Sequence, residues 1–307
     1  MAAADIHTAA VEAVAAQRIR VRARIDEASR ADSGGELRAE TGAQTGSAGP
    51  GPRLTLALDP EGAVLSSYLE PSDVLIDVGG GSRRLGLPLA RHCREVVNVE
   101  PSADARAAFA AAAAAGMVSN VRAVAHDWLA APSQIQGDVV LSTHVTYAVP
   151  DIEPFVDRLQ TASRRRVLVL LYAVPAEAQP IYQQVHQLLF QEAAEIPPSY
   201  RQLLPVLWEV GLLPEVRIID ELGVRRQAPT IEAAITGTLQ SLSTIIGAPG
   251  LERDLWARRV LGDHANELYR PVEGGGYRPA SDGDHRGVLI TWKPSSNRTG
   301  PETSEAR

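Results

Sequence analysis

The sequence predicts an α/β fold with a seven-stranded, mostly parallel sheet that carries helices on both faces. Three observations predict this fold. From about residue 54, short apolar runs alternate with longer segments of helical pattern. Each run is apolar nearly throughout, which is typical of strands that are buried on both faces. After a sixth strand a mostly helical stretch intervenes, and a late apolar run at 286–292 supplies the seventh strand.

Composition limits the classes of protein that fit. The 307-residue chain is 45% hydrophobic and 22% charged, as expected of a folded globular protein. Its formal net charge of −7 argues against holding nucleic acid by neutralising phosphates. Cys93 is the single cysteine, so no intrachain disulfide can form and a reducing compartment fits. No signal sequence and no apolar run of about 18 residues is present, so we expect a soluble, cytoplasmic protein with no membrane partner.

The chain divides into four segments. Residues 1–28 are predicted to form an N-terminal helix, because apolar residues recur on one face. The stretch 29–53 is rich in Gly, Ser and Ala, which predicts a flexible linker. The main domain covers 54–293, and the polar stretch 294–307 is predicted to be a disordered tail. Since the linker separates the helix from the domain, we expect the domain to fold without residues 1–50.

The elements of the domain follow from apolar runs and from helix-ending residues. Strands are predicted at 74–78, 95–99, 121–125, 138–142, 166–172, 215–220 and 286–292. Helices are predicted at 62–69, 85–90, 103–115, 151–163, 180–192, 199–210 and 231–246. The alanine-rich helix is the clearest, because Ala is the strongest helix former and Gly116 follows it. The helical segments at about 173–213 and 221–285 are expected to cover the substrate side.

The most informative segment is VLIDVGGGSRRLGLPLA, residues 74–90, where a buried strand leads through glycines into a helix. Glycine has no Cβ, so the backbone at Gly79, Gly80 and Gly81 can turn sharply and approach a ligand closely. In an open parallel sheet, ligands bind at the carboxyl ends of the strands. The dinucleotide pattern G-x-G-x-x-G fails here, because Arg84 occupies its third glycine position.

This segment resembles motif I of the class I methyltransferases, an acidic residue followed by spaced glycines at the end of the first strand. Asp77, Gly79 and Gly81 match the motif, and Arg83 stands where the motif has its third glycine. Glu100 ends the next strand, where a carboxylate can accept hydrogen bonds from both ribose hydroxyls of an adenosine ligand. The resemblance implies a Rossmann-like methyltransferase fold, a seventh strand inserted antiparallel beside the fifth, and S-adenosylmethionine as cofactor.

Two later segments fit the same family. After the third strand, the resemblance implies that Asp127 faces the adenine amino group and that Trp128 lies beside the adenine ring. The alternative for Trp128 is simple packing under the loop. At the end of the fourth strand, Ser142 would border the methionine moiety and Tyr147 would lie near the acceptor. His144 is either the catalytic base or a structural hydrogen-bonding residue.

The function predicted is methyl transfer from S-adenosylmethionine to a small-molecule acceptor, because the cover segments are partly apolar. Two alternatives stay open: a nicotinamide-dependent oxidoreductase, and a non-catalytic protein that retains the methyltransferase fold. No metal site is expected, since the histidines form no HxH or HExxH group and one cysteine cannot make a thiolate site. Helix 231–246 either extends the core or pairs two subunits of a homodimer.

Overall fold

A computed structural model describes residues 1–33, 56–81, 85–220, 227–281 and 283–294 of the chain. Its strands are β1 (Val74–Val78), β2 (Glu95–Val99), β3 (Val121–Val124), β4 (Gly137–Thr143), β5 (Ser163–Tyr172), β6 (Glu215–Ile219), β7 (Tyr269–Pro271), β8 (Tyr277–Pro279) and β9 (Gly287–Trp292). Its helices are α1 (Ala3–Ser33), α2 (Pro60–Ser66), α3 (Gly86–Leu89), α4 (Ala103–Ala115), α5 (Ile152–Ala162), α6 (Pro180–Phe190), α7 (Tyr200–Glu209), α8 (Ile231–Ile246), α9 (Leu255–Asp263) and α10 (Ala265–Leu268).

A seven-stranded sheet forms the centre of the molecule, in the order β3-β2-β1-β4-β5-β9-β6. Strands β1 to β5 are parallel, and β9 runs antiparallel to both β5 and β6. The predicted fold class is therefore confirmed, including the late strand inserted antiparallel beside the fifth. Every residue of β1 and of β9 is buried, as their uninterrupted apolar sequences predict.

Apolar side chains cover both faces of the sheet. One face packs against α1, α5 and α7, and the other packs against α2 and the short helix α3. A third apolar cluster joins α1 to α6, α8, α9 and α10 in the cover segments. Helix α8 therefore extends the core of this chain. Helices α9 and α10 and the small β7–β8 hairpin were not predicted as separate elements, and strands of three residues give no periodic signal.

The N-terminal helix departs from its prediction in length and in packing. Helix α1 continues to Ser33, so the first five residues of the expected linker, 29–33, are helical. Residues 34–55 and 295–307, which contain the rest of that linker and nearly all of the expected tail, lie outside the described residues. The apolar face of α1 is buried against α5, α7, α8 and α9. That buried face consists of Val11, Val14, Val21 and Ile25.

Polar contacts fix α1 along its whole length. The Arg18 guanidinium pairs with Glu177 at 3.2 Å, and Arg22 donates a hydrogen bond to the Ile246 carbonyl at 2.9 Å. At the other end, the two carboxylate oxygens of Glu209 accept from the Ala3 N–H at 3.2 and 3.0 Å. Helix α1 therefore joins the sheet to its helical cover, and the folding of the domain without residues 1–50 stays a prediction. Among the described residues, no helix combines the length and apolar character needed to cross a bilayer.

Candidate functional site

The glycine turn that follows β1 has a backbone that only glycine adopts without strain. Gly79 and Gly81 have φ values of +65° and +63°, in the left-handed region. The Gly79 N–H donates to the Val99 carbonyl at 2.8 Å, which ties the turn to β2. A Cβ at Gly79 would lie 2.7 Å from Cγ2 of Val145, whereas a Cβ at Gly81 would meet no described residue within 4 Å. The turn therefore packs tightly at its start, at Gly79.

Asp77 lies directly beneath this turn. Its side chain is 1% exposed, and a Cβ at Gly80 would overlap its carboxyl group. Burial, with a smaller contribution from the Glu100 carboxylate, raises the pKa of Asp77 to about 7. Among the described residues, neither carboxyl oxygen of Asp77 has a hydrogen-bond partner. Asp77 therefore supports the turn from below, and its carboxyl is protonated over much of the acidic range.

Asn98 and Glu100 bring the end of β2 to the same turn. The Asn98 Nδ2 donates to the Gly81 carbonyl at 2.9 Å. The Glu100 carboxylate accepts from the Gly81 N–H at 3.1 Å through Oε2, and from the Ser102 N–H at 2.8 Å through Oε1. Each oxygen of an ionised carboxylate accepts about two hydrogen bonds, so both oxygens of Glu100 retain capacity for ligand hydroxyls. The predicted proximity of Glu100 to the glycines is present.

Of the two residues predicted around an adenine ring, Asp127 is exposed and Trp128 is buried. Asp127 is exposed, and its Oδ1 accepts from the Leu129 N–H at 3.0 Å. Trp128 is 5% exposed and belongs to the apolar core on one face of the sheet. The Arg158 guanidinium lies over its ring, 4.8 Å from the centroid. Protein atoms thus occupy the surroundings of Trp128, so its contacts support packing under the loop rather than a position beside adenine.

Ser142 is fully buried in β4, between Val78 of β1 and Val169 of β5. Its Oγ has no hydrogen-bond partner among the described residues. A buried hydroxyl without a partner costs free energy, on the order of 1–3 kcal/mol. It lies one residue from the carboxyl end of β4, near the glycine turn, which is consistent with the predicted place of Ser142 at the bottom of a ligand crevice.

His144 follows β4 in a strained backbone conformation. Its φ is +57°, which is uncommon outside glycine and occurs often at functional sites. The His144 N–H donates to the Leu170 carbonyl at 2.9 Å. Its ring stacks on Tyr172 with centroids 4.1 Å apart and planes 21° apart. The next residue, Val145, touches Gly79, so His144 lies beside the glycine turn.

Tyr147 also lies near His144, with ring centroids 6.2 Å apart. Its hydroxyl oxygen accepts from the Tyr172 N–H at 2.6 Å, and burial raises its pKa further above the ordinary range. A phenol in this state does not act as a base near neutral pH. The structure therefore brings Tyr147 to the predicted region, where its contacts give it a supporting role.

Glu61, a buried carboxylate close to His144, was not predicted from the sequence. The Glu61 Oε2 lies 3.8 Å from the His144 Nε2, and the Glu61 side chain is 2% exposed. Glu61 occupies the first turn of α2, behind the helix cap made by Asp59. In the sequence, D-P-E is an ordinary helix start. Only the fold brings Glu61 next to a residue 83 positions later.

The N-terminal helix also contacts this edge of the sheet. His7 of α1 is buried, and its Nε2 lies 3.2 Å from the Thr146 carbonyl and 3.1 Å from the Val149 carbonyl. Burial lowers the pKa of His7, so its imidazole is neutral at pH 7.

No group of three or more His, Cys, Asp or Glu side chains suited to a metal occurs in the part of the chain that the structure describes. Arg83, which departs from the glycine motif, lies outside that part.

Solved structures of low sequence identity resemble this chain, and the fold is shared with the first of them. The YcgJ protein of Bacillus subtilis is 12% identical with a TM-score of 0.51, over 77% of this chain and 98% of that chain. A candidate methyltransferase of Bacillus halodurans is 14% identical with a TM-score of 0.49, over 78% of this chain and 99% of that chain. A geranyl diphosphate C-methyltransferase of Streptomyces coelicolor A3(2) is 16% identical with a TM-score of 0.42, over 76% of this chain and 79% of that chain. The sequence matches no protein-family model and none of the curated proteins compared with it.

Proposed function

We propose that this chain, whose fold is that of the class I methyltransferases, binds S-adenosylmethionine and transfers its methyl group to a small molecule. One observation supports the proposal most strongly. The Glu100 carboxylate is hydrogen-bonded to the glycine turn at the carboxyl ends of β1 and β2. The glycine turn, whose backbone can contact a ligand, is therefore adjacent to Glu100, which can accept hydrogen bonds from ribose hydroxyls. An adenosyl ligand requires both features side by side.

The residues present fit this cofactor. No described residue lies within 4 Å of where a Cβ at Gly81 would be, which is compatible with a ligand close to the backbone there. Glu100 would hold the ribose, and Ser142, with its unpaired buried hydroxyl, would border the methionine portion. When bound, S-adenosylmethionine supplies an activated methyl group on a sulfonium. The chain must then orient the acceptor and exclude water. Holding two reactants in the correct orientation can supply a large part of the rate enhancement.

A small acceptor is favoured by what surrounds this edge. The cover helices α6, α8, α9 and α10 pack around their own apolar cluster next to α1. The formal net charge of −7 disfavours holding a nucleic acid by neutralising its phosphates. We therefore propose a hydrophobic or mixed small molecule as the class of acceptor.

Titration calorimetry of the full chain tests the proposal. We expect S-adenosylmethionine and S-adenosylhomocysteine to bind at micromolar levels, and NADH not to bind. Glu100→Gln removes the charged acceptor and should weaken both adenosyl ligands by roughly tenfold to 100-fold. Glu153→Gln, an exposed glutamate on α5, is the matched control and should bind like the wild type. Heat with NADH and none with either adenosyl ligand would favour the oxidoreductase alternative and refute the proposal.

A further inference from the structure

We propose that Asp77 is a positioning residue of the cofactor site, an inference that rests on the proposed function: in its protonated form it donates a hydrogen bond to the Asn98 Oδ1 and so holds the glycine turn in place. Asp77 and Asn98 are direct partners in the parallel register of β1 and β2. Partners of this kind point to the same face of a sheet, so the two side chains are neighbours. On its other side Asp77 pairs with Leu141 of β4, which has no polar side-chain group.

The side chains of Asp77 and Asn98 converge on one point beneath the glycine turn. A Cβ at Gly80 would lie 2.5 Å from the Asp77 carboxyl carbon and 3.0 Å from the Asn98 Oδ1. A Cβ at Gly86 would lie 2.9 Å from the Asp77 Oδ2 and 3.4 Å from the Phe109 ring. Both Asp77 and Asn98 are buried. The carboxyl group is therefore enclosed by backbone, by apolar side chains and by the Asn98 amide.

An ionised Asp77 does not fit this enclosure. Neither carboxyl oxygen of Asp77 has a hydrogen-bond donor among the described residues, and the same is true of the Asn98 Oδ1. The Asn98 Nδ2 already donates to the Gly81 carbonyl at 2.9 Å, so a flipped amide would set two acceptor oxygens against each other there. Buried acceptors without a donor are costly. One proton on Asp77 turns an acceptor into a donor and satisfies the Asn98 Oδ1.

The charges around Asp77 favour the same protonated form. Burial, followed by the negative charge of Glu100, raises the pKa of Asp77 to about 7. Glu100 is the charged group described next to it, because β4 and α4 present Leu141 and Phe109 to the carboxyl. A hydrogen bond donated by the protonated form to Asn98 opposes ionisation further. Asp77 therefore changes its protonation state near neutral pH or above.

Asn98 connects this proton to the ligand. The Asn98 Nδ2 holds the Gly81 carbonyl, and the Gly81 N–H donates to Glu100, the proposed acceptor for the ribose. When Asp77 ionises, its charge attracts the Asn98 amide, which then releases the Gly81 carbonyl. The affinity for an adenosyl ligand should therefore fall by about two- to tenfold as the pH rises through the pKa of Asp77. Because this coupling is reciprocal, ligand binding in that pH range should take up protons.

Calorimetry with S-adenosylhomocysteine from pH 6 to pH 9, in buffers of different ionisation enthalpy, tests this coupling. Asp77→Asn, whose amide can still donate to the Asn98 Oδ1, should remove both the fall in affinity and the proton uptake. Asp77→Leu, which has no donor, should bind weakly at every pH. Asp151→Asn changes an exposed carboxyl and should keep the wild-type profile. Titration of the ligand itself is common to all four proteins, so equal profiles for the wild type and Asp77→Asn would refute the coupling.

Infrared difference spectroscopy of the free protein tests the hydrogen bond without any ligand. Between pH 6 and pH 9 the wild type should lose the C=O stretching band of a protonated carboxyl, and Asp77→Asn should lack that band. This comparison also removes the contribution of Glu177, whose pKa is likewise raised by burial. In Asn98→Leu the band should move to higher frequency, because the acid has lost its acceptor. Absence of the band in the wild type, or an unshifted band in Asn98→Leu, overturns the inference.

The two measurements separate failure of this inference from failure of the proposed function. No binding of S-adenosylhomocysteine at any pH, with the carboxyl band present, would mean that the proposed function is wrong while the bond from Asp77 to Asn98 stands. Binding that does not vary between the wild type and Asp77→Asn, with no carboxyl band, would leave the function intact and reject the role of Asp77. Melting curves establish that each variant is folded, and the wild type and Asp77→Asn alone decide the protonation state if Asn98→Leu does not fold.

Discussion

Replacing the buried Asp77 with asparagine should stabilise the protein, and the gain should grow with pH. Burial, followed by the charge of Glu100, raises the pKa of Asp77 from 3.8 to about 7. The folded protein therefore keeps this proton to about pH 7, whereas the unfolded chain releases it near pH 3.8. Stability from this group is intact below pH 3.8 and falls as pH rises towards 7.

The expected magnitude follows from that difference in pKa. At about 1.4 kcal/mol per unit, ionising Asp77 in the folded state costs about 4 kcal/mol above pH 7. About 3 kcal/mol of this cost develops between pH 5 and pH 8. The amide that Asp77→Asn introduces carries no charge at any pH in this range. The free energy of unfolding of the variant should therefore rise relative to the wild type by about 3 kcal/mol across this range.

Urea unfolding at several pH values, followed by circular dichroism, measures this difference. Asp151→Asn, which changes an exposed carboxyl before α5, is the matched control and should follow the wild type at every pH. Wild-type and Asp77→Asn curves that stay parallel from pH 5 to pH 8 would refute the argument. That result would mean that the carboxyl beneath the glycine turn is solvated or paired in solution.

Three further predictions concern the turn, the N-terminal helix and the cysteine. Gly80→Ala should weaken S-adenosylhomocysteine binding more than tenfold in calorimetry, because its Cβ would overlap the buried aspartate, whereas Gly237→Ala in open space on α8 should not. Val21→Ala should lower the free energy of unfolding by about 2 kcal/mol, and the exposed Ile19→Ala by about 0.5 kcal/mol or less, as urea unfolding would measure. Cys93, buried and with its thiol pKa raised to about 11 by burial, should react with iodoacetamide only after unfolding, as mass spectrometry would show.

The sheet could be predicted from the sequence because its strands carry their own signal. Strand β1 is an uninterrupted apolar run, and β9 is another, so each is recognisable without its neighbours. Glu100 was likewise predictable, since it ends a strand adjacent to β1 and the carboxyl ends of parallel strands share one edge. The predicted glycine turn has the positive φ angles that its residues allow.

Other features depend on contacts between distant parts of the chain. The sequence of α1 shows an apolar face but not the surface that covers it, so its integration with the cover helices was not predicted. Trp128 has the same sequence context whether it faces a ligand or Arg158, and only the fold distinguishes these cases. The pairing of Glu61 with His144 joins α2 to the end of β4, and no local pattern indicates it.

Hydrogen exchange with and without S-adenosylhomocysteine tests most directly whether the glycine turn and Glu100, at the carboxyl ends of β1 and β2, form the cofactor site. Mass spectrometry of the peptides from residues 74–102 reports on the glycine turn and on the backbone N–H groups that Glu100 binds. If this is the cofactor site, these peptides exchange more slowly when the ligand is added, and Glu100→Gln abolishes that protection. Unchanged exchange there, with or without protection elsewhere in the chain, would contradict it.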